Sequence, residues 1–196
     1  DSWRYVQNVA VSAEPGKEVV LRAADQCRPL LEIEQPLTVT PDANGTVTLD
    51  GLLIAGGPVV IGASVDQEVH TLVLNDCTLV PGLSRTSKNE AVQPDSPSIV
   101  VSDVFADVQI NRCVLGPIVA VPGASVTVTD SVIDASGAEA NAYYGSVGDP
   151  ASYGAALTLK QCTVALVNPL LGSRAPALIT RCHERIAKRI SSSIKH

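Results

Sequence analysis

The chain has 196 residues, 45% hydrophobic and 17% charged, a balance that excludes a disordered chain and suffices for the core of one domain or two small ones. One Trp, one Phe, four Tyr and no Met leave Val, Leu, Ile and Ala to fill that core, which favours strands and disfavours carbohydrate or single-stranded nucleic-acid surfaces built on aromatic platforms. The net charge of −6 divides into −11 over residues 1–173 and +5 over residues 174–196, so the acidic body repels nucleic acid and anionic membranes.

Neither an initiator Met nor a signal-peptide pattern opens the chain, which points to a fragment or a processed product. The most apolar run, Leu115 to Val121, is short and carries Pro117, so no membrane span is expected. The cysteines are Cys27, Cys77, Cys113, Cys162 and Cys182, none within four residues of another. No CxxC metal or redox motif exists, no metal or cofactor is expected, and unpaired thiols favour synthesis in the cytoplasm.

In chain order, residues 19–23, 30–34 and 36–40 alternate as strands, and Pro41-Asp42-Ala43-Asn44-Gly45 is a turn cluster. Five related segments follow, beginning at Val47, Leu72, Val108, Val126 and Leu157. Each reads apolar, any, apolar, two polar or Gly residues, a small or apolar residue, any, aliphatic. Apolar-any-apolar is strand periodicity with one face inward, the polar pair is a bend, and the next triplet is a second strand. A third apolar piece follows the first three copies, at 58–61, 98–101 and 117–121. Three short strands per repeat make one coil of a parallel β-helix. The starts lie 25, 36, 18 and 31 residues apart, with the longer spacings carried by loops at 62–71, 81–97 and 135–156. Such variable lengths fit the right-handed form better than a strict six-residue left-handed register.

The small-residue column holds Leu52, Cys77, Cys113, Ser131 and Cys162. Coils stacked about 4.8 Å apart make it an interior ladder in which free Cys acts as a small hydrophobe. One residue earlier, Asp76, Arg112 and Asp130 share a column. An acid-base-acid row would suit a polysaccharide lyase or glycoside hydrolase. The same residue types also suit exposed bends. The loop 135–156 holds Tyr143, Tyr144 and Tyr153, either a ligand site on a rigid scaffold or rings that cover the coil flank. At 176–195, Leu178, Cys182, Ile186, Ile190 and Ile194 recur every four residues beside Arg181, Arg185, Lys188 and Arg189. That spacing predicts a basic amphipathic helix, either a cap over the open end of the stack or an interaction segment, whose deletion should cause aggregation. No Gly-x-Ser-x-Gly and no phosphate-binding loop is present.

The segments Leu49 to Gly57, Cys77 to Gly82 and Asp130 to Ala135, with Arg22-Ala23-Ala24-Asp25 through Arg28-Pro29, resemble a largely uncharacterised family of large bacterial proteins. These proteins contain a right-handed parallel β-helix. The resemblance covers about residues 1–166 and carries an association with phage-tail-like or contractile-particle gene clusters, but no catalytic residues. Beyond Leu166 the chain departs from it.

The expected fold is all-β: a right-handed parallel β-helix over 1–175, a single-stranded solenoid of about six or seven coils, with a capping α-helix over 176–196. The expected function is structural, a non-enzymatic scaffold within a larger bacterial protein or particle. Protein partners or self-assembly are expected, and neither nucleic acid nor a membrane span. The alternatives are a carbohydrate-active enzyme using Asp76, Arg112 and Asp130, or an adhesin or carbohydrate-binding module using Tyr143, Tyr144 and Tyr153.

Overall fold

Short runs of alternating aliphatic residues can bury one side only against like runs, and here they do so by stacking. The computed structural model describes residues 2–62, 67–88, 90–135, 141–149, 151–165 and 178–180. Three strands make each coil. The first coil is β1 (Arg4–Val6), β2 (Ala10–Ala13) and β3 (Glu18–Arg22). The second is β4 (Leu30–Glu32), β5 (Leu37–Pro41) and β6 (Thr46–Asp50). The third is β7 (Leu53–Ala55), β8 (Val59–Ile61) and β9 (His70–Asn75). The fourth is β10 (Thr78–Leu79), β11 (Ile99–Val101) and β12 (Ala106–Asn111). The fifth is β13 (Val114–Leu115), β14 (Ile118–Ala120) and β15 (Ser125–Thr129). The sixth is β16 (Val132–Asp134), β17 (Tyr143–Tyr144) and β18 (Ala156–Lys160), and β19 (Thr163–Ala165) and β20 (Leu178–Thr180) follow.

Every third strand pairs with its counterpart one coil on. The result is three parallel sheets: β1-β4-β7-β10-β13-β16-β19, β2-β5-β8-β11-β14-β17 and β3-β6-β9-β12-β15-β18-β20. This is the strand order of a parallel β-helix or solenoid. In the third sheet Val47, Leu72, Val108, Val126 and Leu157 lie in register, as do Leu49, Leu74, Ile110, Val128 and Leu159. The repeat read from the sequence is thus the sheet register itself. These inward residues are buried, and with Leu37, Val59, Ile99 and Ile118 of the second sheet they form one core. Each such side chain contributes roughly 1.5–3 kcal/mol by leaving water.

The three corners differ. Between the third sheet and the next first-sheet strand lie only two residues in five successive coils: 51–52, 76–77, 112–113, 130–131 and 161–162. The first passage through this corner is longer, residues 23–29 between β3 and β4; beyond it the insertions fall at the other two corners, at 62–69, 80–98, 135–142 and 145–155.

Several expectations shift. Strands β1 and β2 precede the first one expected. The segment 135–156 is interrupted by β17, which pairs in parallel with β14. Where a helix was expected from residue 176, Leu178–Thr180 form β20, paired with Thr158–Lys160 of β18. Ile179 and Thr180 are β-branched, and the free edge of β18 offers them a ladder that a helix would forgo. The rest of the expected helix, residues 181–196, lies outside the described residues. No described helix is long and apolar enough to cross a membrane.

Candidate functional site

The two-residue corner is the most regular device in the molecule. Its first residue is Gly51, Asp76, Arg112, Asp130 or Gln161, and all five have positive φ, between 50° and 71°. This left-handed conformation turns the chain into the next sheet and aims two successive N–H groups at the following coil. The first finds a carbonyl: Asp76 N–H donates to Asn111 O, and Arg112 N–H to Thr129 O, both at 3.0 Å. The second finds a side chain: Cys77 N–H donates to Cys113 Sγ at 3.4 Å, and Cys113 N–H to Ser131 Oγ at 2.9 Å.

At Cys113 and Ser131 the second corner residue therefore has two tasks, to fill a narrow interior space and to accept a hydrogen bond. Leu52, Cys77, Cys113, Ser131 and Cys162 are all buried. The polar groups of Cys77, Ser131 and Cys162 also lie against strand-end carbonyls. Cys77 Sγ lies 3.4 Å from Leu49 O, Cys162 Sγ 3.3 Å from Val128 O, and Ser131 Oγ donates to Thr129 O at 2.7 Å. The hydrogen bond with Cys113 and burial both push the Cys77 thiol up. A buried thiol held neutral is a poor nucleophile. The four described cysteines are free, Cys27 half-buried and the others buried, and no described cluster of His, Cys, Asp and Glu could hold a metal ion.

Asp76, Arg112 and Asp130 occupy the outer side of the same corner on successive coils. Arg112 clasps Asp76 with both ends of its guanidinium, Nε to Oδ1 at 2.8 Å and Nη2 to Oδ2 at 2.6 Å. These hydrogen bonds hold the Asp76 carboxyl below its ordinary range. Both side chains are about half exposed. Among the described residues, Asp130 makes no ion pair with Arg112. Just inside the clasp, Asn111 Nδ2 donates to Asn75 Oδ1 at 3.0 Å, so the corner carries a polar rung beside the ionic one.

The tyrosines separate. Tyr143 and Tyr144 form β17 and are buried. Tyr143 donates its hydroxyl to Ala155 O at 2.9 Å, and burial pushes its phenol up. Burial, then the nearby Asp95 carboxylate, does the same to Tyr144. Of these three, only Tyr153 is exposed. It borders a groove of about 570 Å³ on the outer face of the second sheet, with Val100 and Val119 as floor and Pro122, Ser146, Val147 and Ser152 around it. The loop that forms one wall is pinned by Gly145 N–H to Ser152 O at 3.1 Å. A Cβ at Gly145 would overlap the Tyr153 carbonyl oxygen.

A buried pair escaped the reading of the sequence. His70 opens β9 on its inward face, in register with Ala106 of the next coil. Its Nε2 lies 3.7 Å from Asp103 Oδ2, both side chains being buried, and makes no hydrogen bond among the described residues. Nδ1 lies 3.3 Å from Glu68 O, and Asp103 Oδ1 accepts the Phe105 N–H at 2.8 Å. Residues 102–105 carry no repeat pattern, so no sequence signal linked Asp103 to His70. Searches against family models, curated proteins and solved structures returned no match.

Proposed function

We propose that this chain is a non-enzymatic structural module, a right-handed parallel β-helix that serves as a rigid scaffold in a larger bacterial protein or particle. The observation that carries this reading is the in-register stack of three parallel sheets around one aliphatic core. Crossovers between parallel strands of one sheet strongly favour the right hand, and the resemblance of residues 1–166 to bacterial β-helix proteins points the same way. The bidentate clasp of Asp76 by Arg112 suits a corner fastener, because it occupies the groups that a catalytic row would need free.

The test is turnover on a panel of acidic polysaccharides, with and without added calcium. No turnover is expected. Activity that Asp130→Asn or Arg112→Ala abolishes would replace the scaffold with a lyase or hydrolase.

One observation favours a second reading, a carbohydrate-binding or adhesive module. Tyr153 presents half of its surface beside a groove edged by serine hydroxyls. Titration of a glycan panel monitored by NMR would support it if shifts cluster at Val100, Val119 and Tyr153 and vanish in Tyr153→Ala.

A further inference from the structure

The turn between β5 and β6 sets side by side two residues that are chemically labile together. Among the asparagines, only Asn44 precedes a glycine. The turn requires both residues. Asn44 has a φ of 55°, a left-handed conformation that Asn tolerates better than most residues. A Cβ at Gly45 would crowd Asp42 O at 2.7 Å. The same pair is open to deamidation, because glycine carries no side chain to hinder attack by its nitrogen on the neighbouring amide carbon. Asn44 is exposed, so water reaches it.

The fold restrains the reaction at both reacting groups. Gly45 N–H donates to Asp42 O at 2.6 Å, and the nitrogen must give up that proton to react. Asn44 Nδ2 donates to Glu68 Oε2 at the same corner one coil on, and that nitrogen must depart. Glu68 is itself anchored, since its carbonyl lies 3.3 Å from Nδ1 of the buried His70 ring. Its carboxylate also opposes attack, because the tetrahedral intermediate places negative charge on the amide oxygen beside it. The turn is pinned to both neighbouring coils: Gly16 N–H donates to Ala43 O and Asn44 N–H to Val69 O, each at 2.9 Å.

We propose that Asn44 is a deamidation site whose rate Glu68 restrains. Gly45 N bonds to Asn44 Cγ, its proton passes through water to the departing amide nitrogen, and ammonia leaves as a cyclic succinimide closes. Water then opens the ring at either carbonyl, giving aspartate or isoaspartate with no change of oxidation state. Either product replaces a donor to Glu68 with a second carboxylate, so a hydrogen bond between the second and third coils becomes a repulsion. Isoaspartate also adds a methylene to the main chain of the pinned turn. The site follows from the turn alone and holds for a scaffold or for a binding module.

Peptide mapping of the full chain during storage in mildly alkaline buffer tests it, read by the mass gain of exchanging NH2 for OH. Conversion should appear at Asn44 before any other asparagine, and faster in urea than in the native state. Glu68→Ala should speed native conversion about fivefold, the worth of one lost hydrogen bond. Glu68→Gln keeps an acceptor oxygen without the charge and should fall between. In urea the three chains should convert at one rate, so that the difference belongs to the folded turn. Glu68 is exposed, and unchanged thermal unfolding of the variants would show that the fold is intact. Equal or slower native conversion in Glu68→Ala, or earlier conversion at another asparagine, would overturn the proposal.

Discussion

At the scale of single residues, the corner explains a composition that otherwise looks arbitrary. At Cys113 and Ser131 the second corner position both fits the interior and accepts an N–H of the coil before, a second task that Leu52 in the same column does not perform. Ser131→Ala would leave the Cys113 N–H buried without a partner, at a cost of about 1–3 kcal/mol. Ser131→Cys should recover most of that, because the column already accepts cysteine. Urea denaturation of the two variants measures the difference. The outer position is governed by solvent. Hydrogen bonding to Arg112 depresses the Asp76 carboxyl, so its contribution is present above the unfolded value, near 3.9, and fades as pH falls through the lower folded value. Asp76→Asn should therefore be slightly less stable than the unsubstituted protein at neutral pH. The two should converge in acid, as thermal melts from pH 7 down to pH 2 would record. The effect stays small because the pair is exposed. In the sequence Asp76, Arg112 and Asp130 read as exposed bends, with a catalytic row as the alternative. Positive φ at all three and the ion pair between two of them are backbone and rotamer facts that residue types alone do not carry.

At the scale of elements, legibility followed strand length. The third-sheet strands of the repeats run five or six residues, long enough for alternation to announce both strand and register. Strand β17 is two residues long and both are tyrosine, so no alternation exists to find. Its identity comes from pairing with β14 in three dimensions. For the same reason Tyr143 and Tyr144 stood with Tyr153 as ligand candidates, although only Tyr153 is exposed. Residues 178–180 misled in the other direction, since a spacing of four satisfies a helix while the strand partner lies far off in the chain. The loop after β17 depends on a close backbone approach at Gly145. Gly145→Ala should force Ser152 and Tyr153 away, cost about 1–3 kcal/mol, and disturb the groove. Near-ultraviolet circular dichroism together with amide chemical shifts at Val100 and Val119 would register both effects.

At the scale of the whole molecule, each coil touches only its neighbours, so stability is nearly one-dimensional. Opening should begin at exposed ends and reach the middle last. The cysteines report this directly. Cys27 sits half-buried near the first coil, whereas Cys77, Cys113 and Cys162 are buried farther along. Of these four, only Cys27 should react with iodoacetamide under native conditions, and sub-denaturing urea should release Cys77 and Cys113 late. Peptide mapping of the labelled sites measures the order. Early labelling of Cys77 or Cys113 would mean that the stack opens at its centre.

The asymmetry among the corners has a consequence for how the molecule can change. The corner between third and first sheets admits two residues through five coils, and one extra residue there would turn the following strand inside out. The other two corners already absorb insertions of very different length. The solenoid thus has a blind side, a keel where sequence drift is punished, and two flanks where peptides can be spliced in without breaking the helix. Foreign epitopes grafted at 62–69 or 80–98 should leave the fold standing, whereas the same graft at 112–113 should destroy it. Whatever this chain has come to display should look outward from those flanks, with the keel turned away.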